Sequence, residues 1–120
     1  MKPGRKETGG RYKRKTKIKL SKRPGQVRVV KLGEPRTKFI RARGGAKKLV
    51  SLSDNEVNIT HKGKSKKLEI QNVIETPSNL FLARQNILVK GAIIQTELGK
   101  AKITNRPSQE GFVQAVILQE

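Results

Sequence analysis

The amino-acid sequence predicts an all-β fold: a small closed or half-closed β-barrel with one short helical segment and a long basic N-terminal extension. From residue 27 onward, short β-prone runs alternate with turn residues such as Gly33-Glu34-Pro35 and Gly44-Gly45, a pattern typical of small barrels. Strands do not alternate with long helices, and there is no repeat with a period of roughly 20–50 residues. A parallel α/β sheet and a solenoid are therefore excluded.

The β-prone runs, which we expect to form eight or so strands, are rich in branched side chains and bounded by turn residues. In chain order they are Val27–Leu32, Thr37–Arg43, Lys48–Leu52, Glu56–Thr60, Lys66–Glu75, Ile87–Val89, Ala92–Leu98, Ala101–Thr104 and Phe112–Leu118. Lys62-Gly63-Lys64 predicts a tight turn. The last run is uniformly apolar from Ala115 to Leu118, which predicts a strand buried at the centre of the sheet.

One segment, Pro77 to Gln85 (PSNLFLARQ), is predicted to be a helix of about two turns. Proline suits the first helical position because its missing N–H would have no partner there. The side chains expected to pack inward are Leu80, Phe81, Leu82 and Ala83.

Charge divides the chain into two parts. The net charge is +19, from 28 Lys and Arg against 9 Asp and Glu. Residues 1–48 carry 19 of the basic side chains and 2 of the acidic ones, whereas residues 49–120 carry 9 basic and 7 acidic ones. A nearly neutral part joined to a strongly basic one is typical of nucleic-acid-binding proteins, and an anionic membrane surface is the less favoured partner.

Residues 1–26 are predicted to be a basic RNA-binding extension, and residues 27–120 a β-barrel domain. Between Gly10 and Pro24, the only large aliphatic or aromatic side chains are Tyr12, Ile18 and Leu20. Burial of these three side chains cannot offset the loss of conformational entropy when the extension becomes ordered. We therefore expect the extension to be disordered when free and ordered on RNA. Fully extended, it would span roughly 90 Å. The alternative is a merely solvated basic tail.

Residues suited to catalysis or metal binding are scarce. There is no cysteine, and the one histidine, His61, has only Asp54 and Glu56 as acidic neighbours in sequence. An exposed turn histidine is favoured over a catalytic one, and a zinc site is excluded. The acids form no D-x-D or E-x-x-E cluster, and no phosphate-binding loop motif is present. The sequence predicts no enzyme activity, metal, cofactor or small-molecule substrate.

Features of secreted and membrane proteins are missing too. The N-terminal MKPGRKETGG has no apolar core, so no signal peptide is predicted. No apolar run approaches the roughly 20 residues that cross a bilayer, and we expect a cytosolic or nuclear protein. One Tyr, three Phe and no Trp argue against an extended base-stacking surface of the RRM type.

Phosphate binding is the chemistry that remains. Lys and Arg neutralise backbone phosphates and release counterions, and the glycine pairs Gly9-Gly10 and Gly44-Gly45 let the backbone approach ribose-phosphate closely. The alternative is that Gly44-Gly45 is only a hairpin turn. Because the pair is flanked by basic residues, we favour a turn that is also a site of close RNA approach. We predict an RNA contact at one end of the barrel, formed by Arg41, Arg43, Gly44, Gly45, Lys47 and Lys48.

Four segments resemble one protein family. They are residues 4–12 (GRKETGGRY), 41–45 (RARGG), 86–101 (NILVKGAIIQTELGKA) and 104–111 (TNRPSQEG). In order and spacing they are similar to ribosomal protein S8e in its short archaeal form, and the likeness covers nearly the whole chain. The long insertion of the eukaryotic members is absent, which favours an archaeal source.

The resemblance implies a cytoplasmic, non-catalytic component of the small (30S) ribosomal subunit. Its barrel and basic extension would contact 16S rRNA beside neighbouring small-subunit proteins, with no membrane and no homo-oligomer. We predict that the extension contacts rRNA through Arg5, Lys6, Gly9, Gly10, Arg11, Tyr12, Lys13, Arg14, Lys15, Lys17, Lys19, Lys22 and Arg23. Further contacts, from the segments most like the family, are Arg84, Lys90 and Arg106.

Two alternative functions share some of these features. A chromatin-type DNA-binding protein would carry similar charge but would prefer duplex DNA over structured RNA. An RNA-modifying enzyme would need a catalytic acid, a thiol or a cofactor loop, and the sequence offers none of these.

Overall fold

A computed structural model describes residues 4–12, 17–61 and 63–118. These residues are mostly β-structure, with two single 3₁₀ turns at Leu20–Lys22 and Arg43–Gly45. The strands are β1 (Lys31–Leu32), β2 (Arg36–Arg41), β3 (Lys47–Asp54), β4 (Glu56–His61), β5 (Lys64–Glu75), β6 (Ile93–Thr96), β7 (Gly99–Ile103) and β8 (Gln114–Ile117), and helix α1 is Leu80–Arg84.

Strands β4 to β8 form a closed barrel. Consecutive strands pair antiparallel from β4 to β8, and a parallel pairing of β4 with β8, in which Ile59 lies opposite Ala115, closes the sheet. The first half of β5 pairs with β4 and the second half with β6. Register shifts after Ile70 and after Val73 interrupt the second ladder, and such irregularities bend a strand around a barrel. The predicted all-β barrel is confirmed, in its closed form.

The core lies inside the barrel. Side chains at alternate strand positions point inward because the side-chain period of a strand is two. The buried apolar cluster consists of Val30, Val57, Ile59, Ile70, Val73, Leu88, Ala92, Ile94, Ala101, Ile103, Val113 and Ala115. Four of these, Val30, Leu88, Ala92 and Val113, come from segments outside the strands, so the loops contribute to the core as well.

A second, three-stranded sheet has the order β1-β3-β2. Strands β2 and β3 form an antiparallel hairpin, and β1 pairs in parallel with the end of β3. Only Asn55 separates β3 from β4, so the small sheet continues directly into the barrel. The middle of β3 is held by the loop before β8, because Ser51 N donates hydrogen bonds to Pro107 O (3.1 Å) and Glu110 O (3.0 Å).

One predicted strand is shorter than expected, and another does not form. Of residues 27–32, only β1 is strand, and residues 27–29 are exposed. Residues 87–89 form no strand, although Ile87 makes an isolated bridge with Lys31, and Leu88 N donates to Val30 O (2.8 Å). The two segments pair with each other over too few residues to make a regular ladder.

Helix α1 also differs from the prediction. It begins at Leu80 rather than Pro77, because Asn79 Oδ1 accepts a hydrogen bond from Phe81 N (3.0 Å) and caps the first turn. Leu80 and Phe81 are 69% and 68% exposed, so the expectation that they pack inward was wrong. Only the next two residues are half-buried, since a helix of five residues can turn just one side to the sheet.

The last strand is not uniformly buried as predicted. In β8, Ala115 is 2% exposed whereas Val116 is 49% exposed, and Leu118 beyond the strand is 38% exposed. A closed barrel removes the edge of a sheet but keeps its outer face, so every second side chain still meets solvent.

Candidate nucleic-acid interface

Residues 4–12 of the extension form a small backbone loop. Tyr12 N donates to Gly4 O (3.2 Å), and Lys6 N donates to Gly10 O (2.8 Å). The Lys6 ammonium lies 5.7 Å from the centroid of the Tyr12 ring, within the range of a cation–π contact. Every residue of this loop is exposed. The loop therefore presents a compact set of cations and one aromatic ring, including the predicted contacts Arg5, Lys6, Gly9, Gly10, Arg11 and Tyr12.

The rest of the extension has little regular structure. Residues 17–29 are all exposed and contain only one 3₁₀ turn, whereas Val30 is 1% exposed. Burial therefore begins at Val30. The predicted contacts in this segment are Lys17, Lys19, Lys22 and Arg23, all exposed. Lys13, Arg14 and Lys15 lie outside the described residues.

The hairpin of β2 and β3 brings the second predicted set together. Arg41 lies opposite Lys47 in the ladder, so their side chains share one face of the sheet. Between them, Gly44 and Gly45 have φ of +70° and +78°, a region that favours glycine. An added Cβ would meet nothing within 4 Å at either position. The backbone conformation of the turn is thus what requires the glycines, and close approach of RNA to them stays a prediction.

The cations of this hairpin have no acidic partners among the described residues. Arg41, Arg43, Lys47 and Lys48 are exposed, and none of them forms an ion pair with any acid of the described ranges. The strands of the hairpin belong to the three-stranded sheet and not to the closed barrel. Its charge is therefore free to meet an external anion.

The three remaining predicted contacts are dispersed. Arg84 lies at the end of α1, with its guanidinium carbon 5.9 Å from the centroid of the Phe81 ring. Lys90 lies in the loop before β6, and Arg106 in the loop before β8. All three are exposed, and they lie on separate elements.

One carboxyl near the hairpin has a perturbed pKa. Burial raises the pKa of Asp54 above its ordinary value, although the hydrogen bond from Glu56 N to Asp54 Oδ1 (3.2 Å) opposes the shift. Among the described residues, no three His, Cys, Asp or Glu side chains lie together as a metal site would need. No helix in the same residues has the length and apolar character to cross a membrane.

Comparison with known proteins decides the family. The model of the ribosomal protein S8e family matches residues 2–118. The chain belongs to the ribosomal protein S8e family. Among the S8e relatives are proteins named small ribosomal subunit protein eS8. That of Halorubrum lacusprofundi is 41% identical over 117 residues, covering 95% of this chain and 93% of the relative. That of Nanoarchaeum equitans is 43% identical over 111 residues, covering 91% and 85%. The predicted archaeal family is confirmed.

This S8e chain has basic residues that sequence reasoning missed. In the hairpin of β4 and β5, Lys64 and Lys66 are exposed, and Lys67 pairs with Glu56. The sequence was interpreted here only as a tight turn at residues 62–64 followed by a strand from Lys66, although the run of lysines, KGKSKK, was a visible signal. On β2, Arg36 and Lys38 were likewise passed over, although both are exposed on the hairpin that carries the predicted contacts.

Proposed function

We propose that this chain is a structural, non-catalytic component of the cytoplasmic small (30S) ribosomal subunit, where it binds 16S rRNA. The observation that carries the proposal is the match to the ribosomal protein S8e family over residues 2–118. The archaeal relatives from two haloarchaea, each named a small ribosomal subunit protein, align with this chain over 93% of their own length.

Electrostatics supports RNA as the partner. Every Lys and Arg that the structure describes is exposed, in a chain whose net charge is +19. Such side chains bind phosphates and release counterions, which favours association without reading sequence. Neutralising the phosphates between them allows RNA helices to pack closely. This accounts for a ribosomal role that needs no catalytic residue, metal or cofactor.

Two surfaces of the chain are proposed to contact the rRNA. The extension, residues 1–26, is proposed to be disordered when free and to thread along rRNA, since its described residues are exposed and bury no apolar surface. The β2–β3 hairpin is proposed as a second contact, with Arg84, Lys90 and Arg106 as single contacts. The barrel positions both surfaces and contacts neighbouring small-subunit proteins, and no homo-oligomer is required.

Sedimentation tests the ribosomal role. Lysate of the source organism would be run on sucrose gradients at high and low Mg²⁺, with this protein followed by immunoblot. We expect it to move with the small subunit as 70S particles dissociate. Sedimentation with bulk DNA, or retention at the top of the gradient, would contradict the role and favour a chromatin-type protein.

Salt dependence tests the extension. Replacing Arg11, Arg14 and Lys15 by Ala should weaken binding to a 16S rRNA fragment and flatten the slope of log affinity against log salt by up to about 0.7–0.9 per lost phosphate contact. An unchanged slope would show that these side chains do not contact phosphate. Lys102→Ala, at an exposed position on the barrel wall, is the control for loss of charge alone.

A further inference from the structure

An exposed aromatic ring lies among the cations of the β2–β3 hairpin. Phe39 is 69% exposed and lies opposite Leu49 in the ladder. The Arg41–Lys47 pair lies two residues further along the same two strands. Opposite residues of an antiparallel pair, and residues two apart in a strand, point to the same face. These four side chains therefore form one surface, which we call the Phe39 platform.

The Phe39 ring has no structural role in the core. It belongs neither to the buried apolar cluster nor to the side chains packed against it. Its cross-strand neighbour Leu49, by contrast, packs against the backbone of Gly111. Covering an exposed aromatic ring is favourable, so the ring is available as a contact for an external ligand.

The space beside the ring suits a flat, anionic ligand. An open cavity of about 410 Å³ is lined by Phe39, Ile40, Arg41, Gly45 and Lys47. Gly45 has no side chain, and nothing lies within 4 Å of the place where a Cβ would stand. An aromatic face, two cations and bare backbone thus surround one depression.

We propose that the Phe39 platform stacks one unpaired RNA base on the Phe39 ring, while Arg41 and Lys47 hold the adjoining phosphates. This inference rests on the proposed function and names a chemical feature of the RNA, an extruded or single-stranded nucleotide. Single-stranded RNA is recognised in this way, by stacking on aromatic side chains within a basic groove. Because Phe39 is the one aromatic side chain that lines the depression, the site stacks one base and not a row of them.

The charges favour RNA over a neighbouring protein. The hairpin that carries the ring also carries Arg36, Lys38, Arg41, Arg43, Lys47 and Lys48. None of these pairs with an acid within the described part of the chain. An apolar protein segment packed on Phe39 would desolvate the nearest cations without compensation. A nucleotide, in contrast, has a base that can stack on the Phe39 ring and phosphates that can pair with the cations.

Fluorescence can report the stacking directly. Because the chain contains no Trp, Phe39→Trp places a single indole on the platform. It would be titrated at low salt with a mixed-sequence 12-nucleotide RNA, alone and annealed to its complement. We expect the single strand to quench the introduced indole and the duplex, whose bases are already stacked, to leave it unquenched. Val116→Trp, at a 49% exposed position on the barrel wall opposite Lys102 in the ladder, is the control and should respond to neither RNA.

Affinity provides the second measurement. Phe39→Leu keeps an apolar side chain but removes the aromatic face. It should weaken binding of the single strand roughly 5- to 100-fold, as expected for one stacked base, and leave duplex binding unchanged. Equal quenching by both RNAs, or no quenching while both bind, would overturn the platform and leave rRNA binding intact. If neither RNA bound the unmodified chain, the platform would be overturned, whereas the proposed function would still be decided by the sedimentation experiment.

Reconstitution separates the two kinds of partner. The Phe39→Trp variant would be added to 16S rRNA alone and then to rRNA carrying the other small-subunit proteins. A change in indole emission on naked rRNA supports base stacking. A change that appears only after the proteins are added would overturn the proposal and assign the ring to a protein interface.

Discussion

The side chain of Leu49 fills the space in front of Gly111. A Cβ at position 111 would lie 2.4 Å from Leu49 Cδ2 and 2.6 Å from Leu49 Cγ. The same loop accepts the two hydrogen bonds from Ser51 N, through Pro107 O and Glu110 O. The close approach therefore fixes the loop before β8 against β3, and it couples the small sheet to the barrel.

Gly111→Ala should lower the free energy of unfolding by about 1–3 kcal/mol, the usual cost of overpacking. The clash involves the branch point of Leu49 and not only its tip, so relief requires either a χ1 change that takes the whole side chain out of its present packing or a shift of the strand. Urea denaturation followed by circular dichroism measures the effect. Gly25→Ala is the control, because nothing lies within 4 Å of its added Cβ. Equal stability of both variants would contradict the steric argument.

Core packing of the barrel is tested by a pair of isoleucines. Ile59 is 0% exposed in β4, whereas Ile74 in β5 is 43% exposed. Ile59→Val should cost about 0.5–1.5 kcal/mol of unfolding free energy, because it leaves a methyl-sized void in the core. Ile74→Val should leave stability nearly unchanged. Similar losses from the two variants, measured by thermal unfolding, would show that the barrel interior is assigned wrongly.

Capping of α1 is carried by Asn79, whose Oδ1 accepts from Phe81 N. Asn79→Ala should lower the free energy of unfolding by about 1 kcal/mol, as measured by urea denaturation. Asn79→Asp preserves the acceptor and should restore most of that stability. If the Asp variant were as unstable as the Ala variant, the hydrogen bond would not be the cause.

Asp54 should make stability depend on pH. Because burial raises its pKa in the folded state above the ordinary value of 3.8, ionisation opposes folding at neutral pH. Asp54→Asn keeps an oxygen acceptor for Glu56 N and should therefore raise the free energy of unfolding at pH 7. The advantage should shrink as pH falls through the folded pKa and vanish below 3.8, where the wild-type carboxyl is neutral in both states. Urea denaturation across that range measures it, and a difference independent of pH would contradict the assignment.

If the β2–β3 hairpin contacts RNA, two exposed strand lysines should differ in their effect on the salt dependence of RNA binding. Lys47→Ala should weaken binding to 16S rRNA fragments and reduce the salt slope by about 0.7–0.9, the value for one phosphate contact. Lys102→Ala removes the same charge from the barrel wall and should leave the slope unchanged. Filter binding at several salt concentrations distinguishes them, and equal slopes would place the hairpin outside the interface.

The sequence by itself predicted the β class, the closed or half-closed barrel, the family and the basic extension. Each depends on patterns that are local or additive along the chain. Charge sums do not depend on folding, and alternation of β-prone runs with glycine and proline turns reflects backbone preferences that act over a few residues. The same local logic placed a turn at Gly44-Gly45, where the structure finds two positive φ angles.

Tertiary structure alone decided which side chains meet. The exposure of Phe81, the alternation along β8 and the strand pairing that brings Lys47 beside Arg41 and Phe39 depend on how distant parts of the chain come together. The composition includes too few aromatic residues for an extended stacking surface. It could not show that one of them, Phe39, lies on a hairpin rich in basic side chains. The physical reason is that burial and cross-strand contacts join residues distant in sequence, whereas propensity and charge belong to each residue separately.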